Sequence, residues 1–266
     1  CLDELRIVAK KQTDGRAAIL GEVWENAADK IAYGKRRRYL RGGQLDSVMN
    51  YPFRNAVLDL LLRRDAGAFV RTLTEIYASY PREVSDSLMN LLGTHDTARI
   101  LTVLGDPEEG GGRSNAELSC ARLSGDARRQ AISLLRIAST LQYTVYGFPS
   151  VYYGDEAGLE GYHDPFCRRP YPWGHEDDGL MAHYRLLGRF RSTHKALHGG
   201  DFRFLFATDT AFLYERALGN DRILVAVNVG DSPVSIPVSG AWLDLLSKTP
   251  VRETLLLPPM TAALLQ

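Results

Sequence analysis

The chain has 266 residues, with 32 Lys+Arg balanced by 32 Asp+Glu for a formal net charge of zero, and 45% hydrophobic residues. This is the composition of an ordinary soluble protein with one large domain, or a medium domain and a small companion. It argues against nucleic acid or an anionic membrane as the main partner and suits a neutral substrate. Cys1, Cys120 and Cys167 have no metal-ligand spacing, so a disulfide framework is not expected and a reducing, cytoplasmic compartment is the default.

The first residues already show helical spacing at Leu2, Leu5 and Val8, with no charged-then-apolar leader, so the chain is expected to be a piece of a longer protein. No apolar run is long enough for a membrane span. Residues 1–12 read as an amphipathic helix and 17–22 as a buried strand. Asn26–Tyr33 reads as a short helix or loop. A short strand is expected at Gln44–Met49, then helices at Arg54–Arg64 and Ala68–Tyr80, the second stopped by Pro81. Leu88–Leu92 is the next buried strand. Gly105–Ser124, Gly- and Glu-rich, reads as a mobile loop. Asp126 is expected to cap a helix to about Gln142; Ser150–Tyr153 is a fourth strand, and Met181–Ala196 a last amphipathic helix.

Strands alternating with helices predict a parallel sheet with helices outside it. The count is four strand–helix units, half of what closes a (β/α)8 barrel. Past Gly199-Gly200 the pattern changes to short strands at Phe202–Phe206, Ala211–Arg216, Ile223–Asn228, Val234–Ile236 and Thr261–Gln266, separated by turn residues. The expected fold is therefore α/β, the second half of a (β/α)8 barrel over 1–200, followed by a small antiparallel β-sandwich domain over 201–266.

Two buried runs end in acids. Ile19-Leu20-Gly21 stops at Glu22, and Leu91-Leu92-Gly93 stops at Thr94-His95-Asp96. A strand-end acid serves as a helix cap or surface charge in many proteins. Beside Trp24, Glu22 also reads as a general acid next to a sugar-stacking ring, its pKa raised by partial burial against apolar groups. His95-Asp96 reads either as a structural pair with Asp96 capping a helix from Thr97, or as a grip on a pair of sugar hydroxyls. Arg36-Arg37-Arg38 lacks aromatic interleaving and reads as a solvated face. His163, His175, His183, His194 and His198 show no metal spacing, and neither metal nor cofactor is expected.

Ile19-Leu20-Gly21-Glu22-Val23-Trp24, Leu92-Gly93-Thr94-His95-Asp96-Thr97 and Gly147-Phe148-Pro149-Ser150-Val151-Tyr152-Tyr153-Gly154-Asp155-Glu156 resemble, in order, motifs of the α-amylase family (glycoside hydrolase family 13). Asp164-Pro165-Phe166-Cys167-Arg168-Arg169-Pro170-Tyr171-Pro172-Trp173 is similar to the neopullulanase, cyclomaltodextrinase and maltogenic amylase branch. The resemblance implies retaining hydrolysis of α-1,4 links in maltodextrins or cyclodextrin-like α-glucans. It makes Glu22 the general acid/base, Asp96 the acid that binds ring hydroxyls and stabilises the transition state, with His95 beside it, and Asp164 and Arg168 substrate contacts; Trp24 is a substrate contact on its own reading as a sugar-stacking ring. Thr94 departs from the Asn common before His-Asp in the family. Tyr152–Glu156 reads as scaffold, with Glu156 given no role.

The family nucleophile is an Asp in an Arg-x-Asp motif at the tip of the fourth barrel strand. The only Arg-x-Asp here, Arg63-Arg64-Asp65, closes a helix after Glu22 and reads as a chance match. The chain is thus expected to be inactive alone. The alternative is a non-catalytic sugar-binding or scaffold protein. Half a barrel would also leave unpaired edges, which predicts self-association.

Overall fold

Helix α1 (Leu2–Gln12) leads to the short strand β1 (Leu20–Gly21) in the computed structural model, which describes residues 1–28 and 30–266. β1 is shorter than the expected 17–22 because side chains take the first hydrogen bonds. Lys10 Nζ donates to the Ala17 carbonyl at 2.6 Å, and the Ile19 N–H donates to Asp46 Oδ2 at 2.8 Å. Of the segment 26–33, Asp29 lies outside the described residues. The remainder is turn and hairpin rather than α-helix: β2 (Ile31–Ala32) pairs with β3 (Lys35–Arg36) across Tyr33 and Gly34, both at positive φ.

Strand β4 (Ser47–Val48) is followed by α2 (Tyr51–Arg63), α3 (Ala66–Ser79) and α4 (Arg82–Asp86). The Asn50 side chain caps α2 by accepting from the Phe53 N–H at 3.2 Å, and Asp65 caps α3 by accepting from the Ala68 N–H at 2.7 Å. Strand β5 (Met89–Leu91) precedes α5 (Ile100–Gly105), α6 (Asn115–Cys120) and α7 (Gly125–Thr144). The stretch 105–124 is therefore not one loop. It carries α6, nucleated by a reciprocal capping box between Ser114 and Glu117. The cap of α7 is Ser124, whose hydroxyl accepts from the Ala127 N–H at 3.3 Å, and Asp126 sits inside the first turn.

Strand β6 (Phe148–Ser150) starts ahead of the expected 150–153, and α8 (Asp178–Thr193) and α9 (Ala196–Gly199) follow it. Gly147 sets that start. At φ 97° its backbone lies so close to β5 that a Cβ would fall 2.2 Å from the Leu88 carbonyl oxygen. Tyr152 to Asp155 then closes a turn, the Asp155 N–H donating to the Tyr152 carbonyl at 3.1 Å.

β1 pairs parallel with β4, Met49 bridges parallel to Met89, and β5 pairs parallel with β6. Four strands thus lie side by side in chain order and point the same way. Helices follow β4, β5 and β6, whereas among the described residues the β1–β4 connection holds only the hairpin. Because the strands are parallel, whatever follows each of them emerges at one common end.

The last quarter of the chain is a six-stranded antiparallel sheet of β7 (Asp201–Ala207), β8 (Ala211–Leu218), β9 (Asp221–Asn228), β10 (Val234–Asp244), β11 (Thr249–Leu257) and β12 (Thr261–Leu265), in the order β11-β10-β12-β9-β8-β7. The sequence reading omits β11 and ends β10 at Ile236. Pro250 and the charged Arg252-Glu253 interrupt the alternation of β11, and a register break between Pro237 and Ala241 hides the continuation of β10.

Both faces of β8 and β9 are buried. Phe212, Tyr214, Val225 and Val227 join the core formed with Phe53 and Leu60 of α2, Phe69 and Leu73 of α3 and Leu141 of α7. Phe69 stacks on Phe212 with ring centroids 5.0 Å apart. On the other face Leu213 and Leu224 meet Ile236, Val251 and Leu255. Strands at opposite ends of the sheet share that second cluster, so the sheet curls on itself.

Candidate active site

Glu22 directly follows β1. Trp24 Nε1 donates to Glu22 Oε1 at 3.1 Å, and the Tyr51 hydroxyl donates to the same oxygen at 3.4 Å. Tyr51, the first residue of α2, stands at the tip of β4 and is itself buried. Its ring stacks on Trp24, centroids 4.1 Å apart and planes 13° from parallel. Glu22 is exposed, which corrects the expectation of a partly buried carboxyl. Strand β1 has one strand neighbour among the described residues, and its acid is held at one oxygen by the Trp24 and Tyr51 donors while its side chain stays exposed.

His95 and Asp96 follow β5. His95 Nε2 lies 3.3 Å from Asp96 Oδ2, and both side chains are exposed. The helix-cap reading of Asp96 fails. The Thr94 N–H donates to Thr97 Oγ1 at 3.0 Å and the Asp96 N–H to Thr94 Oγ1 at 3.2 Å, so the segment is a side-chain-closed turn, and α5 starts only at Ile100. The Asp96 carboxylate is left facing His95 and Arg168, whose Nη2 is 3.6 Å from Asp96 Oδ1.

Arg168 gathers the remaining expected residues. Its Nε lies 2.8 Å from Asp164 Oδ1 and donates to the His95 carbonyl at 3.1 Å. The structure therefore forms two groups: Glu22 with Trp24, and His95 with Asp96, Asp164 and Arg168. Tyr51 joins them. Burial pushes its phenol pKa up; a Thr94 hydrogen bond opposes this, while the Glu22 and Asp96 charges both add to it.

Two residues absent from the sequence reading, Tyr51 and Arg99, and one that it reads as scaffold, Asp155, support this site. Arg99, fully buried, pairs with buried Asp155 at 3.1 Å behind the His95-Asp96 turn. Burial raises the Asp155 carboxyl to about 7, against the pull of Arg99 and with a further push from Glu156. The run Ala98-Arg99-Ile100-Leu101 is the signal that was available, since a cation inside an apolar stretch must find a partner. No group of three or more His, Cys, Asp or Glu among the described residues is placed to hold a metal ion. No helix among them is long and apolar enough to cross a membrane.

Comparison with known proteins gives this geometry its context. The family model "Alpha amylase, catalytic domain" matches residues 2–197. A cyclomaltodextrinase from a Bacillus species is 38% identical over 224 residues, covering 82% of this chain and 34% of that protein. Neopullulanase 2 of Thermoactinomyces vulgaris is 32% identical over 249 residues, covering 89% of this chain and 37% of that one. The solved type III pullulan hydrolase from Thermococcus kodakarensis superposes with a TM-score of 0.80 at 27% identity, over 100% of this chain and 42% of its own. The chain thus spans about a third of the length of these curated relatives. By this match, and with the strand-tip acids Glu22 and Asp96 in place, the chain belongs to the α-amylase family of glycoside hydrolases.

Proposed function

We propose that the chain carries the acid/base and sugar-binding groups of a retaining α-glucan hydrolase acting on α-1,4 links of maltodextrins or cyclodextrins. The observation that carries this reading is the emergence of Glu22, Tyr51 and Asp96 at the common end of neighbouring parallel strands, with two stacked rings beside the first acid. The names of the relatives support the substrate class. In this reading β1, β4, β5 and β6 are the second half of a (β/α)8 barrel over residues 1–200, and 201–266 is a separate small β domain.

Glu22 protonates the leaving glycosidic oxygen and later takes a proton from water. His95 and Asp96 grip adjacent hydroxyls of the ring, with bonds that tighten as it flattens toward an oxocarbenium ion. Arg168 and Asp164 border that grip, and Trp24 offers a face to the neighbouring sugar. Retention needs a second carboxylate about 5–5.5 Å from the acid. Asp65 does not supply it, being the cap of α3. The 266-residue chain alone therefore binds sugar without turning it over. Its sparse set of three cysteines suits a reducing cytoplasm.

Self-association follows from the same half-barrel reading. β1 and β6 each have a single strand neighbour among the described residues, and α1 buries none of its residues, leaving Ile7 66% and Val8 59% exposed.

Calorimetric titration with maltotriose tests the binding reading, and release of nitrophenol from a nitrophenyl maltoside tests the inactivity. Binding by the unmodified chain is expected, weakened about tenfold or more in Asp96→Asn and in Trp24→Ala, the equivalent of one good contact. Absence of binding sinks the reading, and measurable turnover sinks the inactivity. A monomer by light scattering sinks the self-association.

A further inference from the structure

Arg99 follows the Asp96 turn and is fully buried, yet its bonds reach three other stretches of chain. Nη1 contacts Asp155 Oδ1 at 3.1 Å and donates to the Tyr153 carbonyl; Nε donates to the Cys167 carbonyl at 2.6 Å; the backbone N–H donates to the Gly161 carbonyl at 2.8 Å. The guanidinium lies 4.0 Å and 4.4 Å from the Tyr152 and Tyr153 ring centroids. The residues at the Cys167 end carry the connection forward. Cys167 Sγ donates to the His95 carbonyl at 3.3 Å, Arg168 Nε donates to it at 3.1 Å, and Arg168 Nη2 reaches Asp96 at 3.6 Å.

A buried ion pair is poor evidence for stability, since apolar packing of the same volume serves as well or better. Here one guanidinium nitrogen, Nη2, is also buried without a hydrogen-bond partner. What the arrangement does supply is geometry. A rigid planar fork holds two loop carbonyls at once, which a lysine ammonium on a flexible stem does not reproduce. We infer that Arg99 is a positioning residue for sugar recognition, fixing the loop 164–169 against the His95-Asp96 turn so that Arg168 and Asp96 present one binding edge. This rests on the proposed role of Asp96 and Arg168 in gripping sugar, and it leaves the Glu22–Trp24 group independent of Arg99.

The test uses two readouts, one of which needs no sugar. Cys167 is buried whereas Cys1 and Cys120 are exposed, so an aromatic disulfide reagent should modify two thiols quickly and Cys167 slowly. Arg99→Lys should speed the Cys167 reaction about tenfold or more, beyond what its change in denaturant-measured stability allows, because only the loop opens. In maltotriose titrations R99K should be non-additive with Arg168→Gln and additive with Trp24→Ala. Unchanged Cys167 labelling, or additivity with both partners, overturns the inference. If the unmodified chain binds no maltotriose, the functional reading fails while the labelling still decides whether Arg99 holds the loop. Should R99K not fold, Asp155→Asn keeps the side-chain shape and is read by the same labelling, with acceleration expected and its absence overturning the inference.

Discussion

Trp24 and Tyr51 lie ring on ring, 4.1 Å apart, and both donate to one oxygen of Glu22. The acid at the tip of β1 is thus oriented by a residue of its own turn and by one from the tip of β4. A hydrogen bond at 3.4 Å is weak, whereas stacking against a buried ring is not. The stack, more than the phenol proton, should hold the indole in place.

Tyr51→Phe and Tyr51→Leu separate these contributions. Phe keeps the stack and loses the donor, so stability should fall by only about 0.5–1.5 kcal/mol. Leu empties a buried ring position and should cost about 2–4 kcal/mol. Urea denaturation measures both. Trp24 fluorescence, read in a background with Trp173 and Trp242 replaced by Phe, should stay unchanged in Tyr51→Phe and shift to the red in Tyr51→Leu. Equal shifts in the two variants would assign the orientation of Trp24 to the hydrogen bond instead.

Two buried groups give stability opposite pH slopes. Burial, helped by the Arg136 charge, lowers His183 from 6.5 to about 4. The unfolded chain therefore takes up a proton that the folded chain refuses, and this contribution, complete above about 6.5, is lost as pH falls toward 4. Asp155 is raised from 3.8 to about 7, so the folded chain holds a proton the unfolded one has released, and this contribution is lost as pH rises from about 4 to 7. Each slope approaches about 1.4 kcal/mol per pH unit. Between pH 4.5 and 6.5 they oppose each other. His183→Gln should therefore make stability fall with rising pH across that window, and Asp155→Asn should make it rise. Denaturant midpoints at four pH values check the signs, and parallel profiles for the two variants would refute the assignment.

What was legible in the sequence follows from where each signal is written. Glu22 and Asp96 were visible because an apolar strand stops at an acid within a few residues, and β1 and β5 followed from the same runs, whereas β6 lies ahead of the expected 150–153 because Gly147 sets its start. Tyr51 was not, because β4 is two residues long and polar at Ser47, and nothing local marks the ring beyond it as facing another strand's acid. Arg99 was hidden for a different reason. Its partner Asp155 lies in a separate loop, and a charged residue ahead of a helix usually reads as a surface position. Strand β11 was lost because Pro250 and Arg252-Glu253 obscure a period that only pairing with β10 restores.

Gly147 is needed for the approach of β6 to β5, where a Cβ would meet the Leu88 carbonyl at 2.2 Å with φ at 97°. Gly147→Ala should cost about 3 kcal/mol or more, strain and steric overlap each contributing about 1–3 kcal/mol. Gly15 provides the control: its φ is 79°, but nothing lies within 4 Å of the added carbon. Gly15→Ala should cost only about 1 kcal/mol, the backbone strain alone. Comparable losses in thermal or urea unfolding would show that backbone strain, and not contact with β5, sets the cost.

Asp65 separates a structural aspartate from a catalytic one. Its Oδ1 accepts from the Ala68 N–H at 2.7 Å, and Arg64 before it has left-handed φ of 60° and pairs with Asp231. An Asp cap replaced by Ala costs about 0.5–2 kcal/mol. Asp65→Ala should lower stability by that amount and leave maltotriose affinity unchanged, whereas Asp65→Asn, which still accepts the cap hydrogen bond, should recover most of the loss. A nucleophile would behave the other way, with Asn as damaging as Ala to sugar chemistry and neither much affecting the fold. The two variants therefore decide, by unfolding and titration together, whether Arg63-Arg64-Asp65 is anything more than the end of one helix and the start of the next.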